Sequence, residues 1–269
     1  MDAQTFESWL RDPVYLPSSR SVVWELLRSL DKPDVPTAEV QELVSRDQGL
    51  VARMLKLANS PFFGVSRQVN SLPDAVVVLG LMNVRRLAIA ASLLEEEAEL
   101  LQSYWKHSLR IAYLSESIAH YTRATPAICF VYGLLRHIGL LVFYGHDAAF
   151  GPKLIHPQEQ GPILLAEQQQ TYGFDHLKLG CQLLESWRLP SQLSDAISRC
   201  YAEPPAPYSS IALCSQIADH WVTHAAREDG EDFTLPQWMH EQGVLHPQCL
   251  TDLASELGRV DEGIRRQFG

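Results

Sequence analysis

"FVYGLLRHIGLLVF", Phe130–Phe143, sets Arg136 and His137 side by side in an otherwise apolar run. The pair fits a metal site, the remains of one, or a packed core. The longer run, 127–144, comes nearest to a membrane span, but Arg136 and His137 interrupt it. It reads as one strongly apolar helix, buried on most sides. Gly133, Gly139 and Gly145 read there as close-packing or terminating residues.

Outward from this run the pattern is helical nearly throughout. "SVVWELLRSLD" aligns Val23, Leu26, Leu27 and Leu30 on one face. Thr37 is placed to cap the next helix, Asp47 the one after, and Ser71 a third with Pro73 in its first turn. Asn59-Ser60-Pro61 ends the helix that Asp47 starts, and Gly80 breaks the one that Ser71 starts. "YWKHSLRIAYLSESIAHY", "GPILLAEQQQTYG", "DHLKLGCQLLESWRLP", "LSDAISRCY" and "YSSIALCSQIADHWVTHAA" follow. Residues 227–237 are polar and rich in breakers, and a last helix spans roughly 248–259. With no alternating strand, the fold class is all-α. The expected architecture is an N-terminal bundle of short helices (1–96), a second helical bundle (97–226), and a linker with a C-terminal helix (227–269). Trp24, Trp105, Trp187 and Trp221 sit at core-like helical positions. Trp9 and Trp238 lie near the edges, where either could tuck in or anchor a partner.

Composition bounds the function. The net charge is −10, from 22 basic and 32 acidic residues with no basic block, which disfavours nucleic acid. Five scattered cysteines form no CxxC and fit a reducing, cytoplasmic setting. The start, "MDAQTFESWLRD", is no signal peptide, and no membrane association is expected.

Four polar residues fall on apolar helical stripes: His107 with Ile111, Leu114 and Ile118; His137 with Phe130, Leu134 and Leu141; His176 with Leu179, Leu183 and Trp187, after an Asp175 cap; and Asp219 with Ala212, Ser215 and Val222. Imidazoles and a carboxylate are competent ligands for Mn, Fe or Zn. Arg136 is the awkward member, since a guanidinium only donates and repels a cation. The plainer account makes the histidines hydrogen-bonded core residues, with Arg136 paired to Asp219 or a glutamate. The sharper one gives Arg136 an anionic ligand.

These residues carry a resemblance. The chain is similar, over roughly residues 12–222, to the HDOD family, the HD-related output domain of bacterial signalling proteins. "VQELVSRDQGLVARMLKLANSPFFG" resembles its most recognisable block, with Asp47-Gln48 where Asp-Pro is usual. "VNSLPDAVVVLGLMNVRRLAI" resembles the next. "YWKHSLRIA" resembles the helix whose histidine ligates metal in catalytic HD phosphohydrolases, here His107. "YGLLRHIGLLV" resembles Gly-Leu-Leu-His-Asp-Ile-Gly, with Arg136 at the His position and His137 at the Asp position. His-His is often seen where Arg199-Cys200 stands, and Asp219 lies near the expected late aspartate.

The resemblance implies a degenerate HD site: His107, Arg136, His137, His176 and Asp219, with no catalytic residue, metal or cofactor assigned. It implies a non-catalytic module acting on an unidentified signalling protein. That protein would be separate, because no receiver or cyclase-type module is fused here, and a homo-oligomer stays open. The alternatives are a metal-dependent phosphohydrolase of nucleotides or cyclic dinucleotides, and an anion sensor using Arg136.

Overall fold

In the computed structural model, residues 3–11, 20–59, 63, 65–92, 99–122, 124–154, 161–201, 210–225, 255–256, 258–260 and 262 are described. Among them there is no β-strand. The helices are α1 (Ala3–Arg11), α2 (Arg20–Leu30), α3 (Thr37–Ser45), α4 (Gln48–Ala58), α5 (Leu72–Ser92), α6 (Glu99–Ala119), α7 (Pro126–Leu135), α8 (Ile138–His146), α9 (Gly161–Tyr172), α10 (His176–Ser186), α11 (Ser191–Ser198) and α12 (Ser210–Ala225). A 3₁₀ segment, Ala148–Leu154, follows α8.

Caps set the starts of several helices. Asp47 accepts the Leu50 N–H at 2.8 Å, Asp175 that of Lys178 at 2.8 Å, and Ser71 that of Asp74 at 3.2 Å. Thr37 does not cap: Pro36 holds the N-cap of α3, and Thr37 is already helical. Asn59 closes α4 as expected and does more. Its amide donates to the Leu55 and Val69 carbonyls and accepts from the Val69 N–H, tying the loop's return to the helix end. Gly80 kinks α5 at φ 71, a conformation that favours glycine.

The expected single apolar helix is two. α7 stops at Leu135, and α8 starts from the carbonyl of His137, which has left helical geometry at φ −111, ψ 22. The whole run Pro126–His146 has the length and hydropathy of a membrane span, yet 89 % of its most apolar window is buried inside the protein. Two glycines let its neighbours in close. A Cβ on Gly133 would stand 2.8 Å from the Ala112 Cα of α6, and one on Gly139 would stand 1.9 Å from the His176 carbonyl oxygen of α10.

One apolar core joins α2–α5 (Leu26, Val44, Leu55, Val76) to α6–α12 (Leu114, Leu134, Trp187, Ile217). α1 was not anticipated as a helix. Its Trp9 is buried, stacked on His146 at 4.1 Å and edge-on to Phe143. Trp187 and Trp221 are buried as expected, but Trp24 is 49 % exposed. α2 turns Val22, Val23 and Leu26 inward, which leaves Trp24 on its outer side. The side chain of Trp105, and Trp238, the boundaries near 96 and 226, the 227–237 linker and most of the last helix lie outside the described residues.

Candidate functional site

α6, α7, α8, α10 and α12 bring the five candidate residues into one buried region. Two corners form there, on either side of the α7–α8 break.

The first corner is charged. Arg136, the last residue before the break, is 3 % exposed. Its Nη2 donates to Asp219 Oδ1 at 2.5 Å and its Nη1 to Ser215 Oγ at 3.3 Å, both on α12. His107 of α6 meets the same Asp219 oxygen through Nε2 at 3.1 Å. A carboxylate only accepts, so His107 carries its proton on Nε2. Burial pushes the Asp219 carboxyl up, but the Arg136 guanidinium and the His107 ring outweigh it and hold it well below the usual carboxylate range.

The second corner is neutral. The His176 backbone N–H donates to Gln168 Oε1 at 2.9 Å, which fixes the direction of that amide. Nδ1 of the His176 ring lies 2.7 Å from the same oxygen, so Nδ1 holds the ring proton. Burial lowers this imidazole to about 3, so Nε2 is a lone pair. Tyr201 donates its hydroxyl proton to that nitrogen at 3.0 Å. The phenolic oxygen then faces His137 Nδ1 at 3.4 Å as an acceptor. His137 is held neutral by burial and by Arg136 and His176 nearby. Its Nε2 lone pair is buried with no hydrogen-bond partner among the described residues. Tyr104 of α6 anchors the break by donating to the His137 carbonyl at 3.2 Å.

The donor set does not fit a divalent metal. Among the described residues, no group of three or more His, Cys, Asp or Glu is placed to hold one. His107 and Asp219 would offer two ligands, and the guanidinium already occupies the carboxylate. Elsewhere, Arg199 pairs with Asp195 at 3.1 Å on its own helix, and burial raises the Cys200 thiol to about 11.

Sequence reasoning missed Tyr201, Gln168 and Tyr104 as site residues. Gln168 carried a signal, four residues after Leu164 and four before Tyr172, all three buried on α9. Tyr201 carried none, since it stands in a turn after α11.

A curated but uncharacterised protein of Treponema pallidum (strain Nichols) is 28 % identical over 211 residues, covering 76 % of this chain and 41 % of its own length. The uncharacterised YuxH of Bacillus subtilis (strain 168) is 28 % identical over 191 residues, covering 67 % of this chain and 46 % of its own. The chain thus spans less than half of either relative. A fragment of the MmoQ response regulator of Methylococcus capsulatus str. Bath superposes with a TM-score of 0.69 at 26 % identity, over 87 % of this chain and 90 % of that one. A virulence factor of Campylobacter jejuni subsp. jejuni shares the fold, with a TM-score of 0.65 at 19 % identity over 98 % and 93 % of the two chains. The HDOD domain profile matches residues 16–203, well over half of the chain, and with the all-helical fold this establishes that the chain belongs to the HDOD family.

Proposed function

We propose that this chain is a non-catalytic signalling module of the reducing cytoplasm that works by contact with another signalling protein. Its HD-like half serves as a rigid scaffold. The Arg136–Asp219 contact carries the reading. A permanent cation sits on the carboxylate that a hydrolytic metal would need, and it is buried with its partner. Water activation at a phosphoester requires that carboxylate for the metal. Here it closes an internal salt bridge and pins α7 to α12 instead. The response-regulator name of one structural relative supports a signalling setting. An anion sensor built on Arg136 gains no support from the geometry, because the guanidinium is buried and committed to Asp219 and Ser215.

The test is metal analysis of purified protein together with hydrolysis of bis-p-nitrophenyl phosphate and cyclic dinucleotides. The expected result is no stoichiometric Mn, Fe, Zn or Mg and no turnover. A tightly held divalent ion that is lost with Asp219→Asn, accompanied by turnover, would overturn the scaffold reading.

A further inference from the structure

A cleft of about 230 Å³ opens between α3, the start of α5, α6 and α7, away from both corners. Its walls include Glu42, Ser45, Ser71, Tyr113, Glu116 and Phe130. The two rings stand edge to face at 5.2 Å. The two carboxylates differ. Glu42 is held by Arg46 at 2.8 Å, and Arg46 also reaches Glu25 at 3.1 Å. Glu116 is half-buried and makes no ion pair among the described residues. Burial pushes its carboxyl up; His120, one turn on, opposes this, and the like charge of Glu256 adds to it. A half-buried carboxylate with no direct ion-pair partner among the described residues, in an aromatic-walled cleft, is an incomplete arrangement.

We propose that this cleft receives an arginine side chain of a partner protein, with the guanidinium on Glu116 and against the Tyr113 ring. Guanidinium suits the site better than ammonium, since it is planar, weakly hydrated and stacks on aromatic faces. The cleft is smaller than the roughly 300–1,000 Å³ of most small-molecule sites, and suits one long side chain. The net charge of −10 steers a basic partner toward the protein. The assignment rests on the interaction-module reading and adds the chemistry of the partner's contact residue.

The experiment uses the full chain and backbone amide NMR. The probes are a short Gly-Ser peptide with one central arginine, its citrulline counterpart, and benzylammonium. The arginine peptide is expected to give saturable shifts at Ser45, Ser71 and Tyr113. Its affinity should fall about tenfold or more with citrulline and in Glu116→Gln. That variant is near-isosteric and should melt no lower than the parent; if it unfolds, the arginine–citrulline contrast on the parent decides. Equal binding of citrulline, indifference to Glu116→Gln in a folded variant, or no saturable shift overturns the proposal. Benzylammonium binding tenfold tighter than the peptide overturns the protein-partner assignment in favour of a small amine. None of these failures touches the metal and turnover measurements, which report on Arg136 and Asp219.

Discussion

The two corners flanking the α7–α8 break are built from similar residues and solve burial in opposite ways. At the charged corner, Arg136, Asp219 and His107 keep ions in the interior by compensating them. At the neutral corner, His137, Tyr201, His176 and Gln168 avoid ions by fixing tautomers along a hydrogen-bond chain. The difference teaches that buried polar side chains need no single solution. One group can be compensated by a fixed cation and another can discharge itself.

The largest expected effect breaks the charged corner. Arg136→Met leaves Asp219 buried against His107 alone and should cost roughly 3–5 kcal/mol in urea unfolding. The double variant Arg136→Met/Asp219→Leu should recover most of that loss. Equal losses in both would show that packing, not charge compensation, is what Arg136 supplies. Next comes Tyr201→Phe, which strips the shared hydroxyl from two histidines and should cost on the order of 1–3 kcal/mol. It should leave the His107 ring resonances in place.

Acid separates the corners without mutation. His176 titrates near 6.5 when unfolded and about 3 when folded, so the unfolded state binds more protons between those values. Its contribution is complete above pH 6.5 and falls as pH drops toward 3, by up to about 1.4 kcal/mol per pH unit. His137 is shifted in the same direction and adds to the slope. Asp219 is lowered, so its contribution is intact above its unfolded value near 3.9 and is lost only below that. Urea midpoints from pH 7 to 4.5 should therefore report His176 and His137 and not Asp219, and His176→Gln should flatten the curve. The smallest effect serves as a control in the N-terminal bundle: Asp47→Ala removes the α4 cap, should cost about 1 kcal/mol, and should leave the acid slope unchanged.

Much of the fold was legible. The caps at Asp47, Ser71 and Asp175 and the break at Gly80 are local events, decided within a few residues. The α7–α8 break was not legible, because no Gly or Pro marks Arg136-His137. Its tie to the rest of the fold is the Tyr104 hydroxyl, which donates to the His137 carbonyl from 33 residues away. Trp24 misled because an apolar residue on an amphipathic helix need not face inward, and about half its surface is exposed.

At the site, the sequence by itself determined which side chains could ionise, and that a guanidinium at position 136 can donate but never ligate. Spacing put His107, His176 and Asp219 on inward faces, because helical period fixes direction within an element, whereas His137 is buried at the break between two elements. Only the tertiary structure decided who meets whom. That Asp219 serves Arg136 and His107 together, and that Tyr201 bridges His137 and His176, follows from the packing of five helices. Those contacts join residues up to 112 positions apart, and no local rule couples positions at that range.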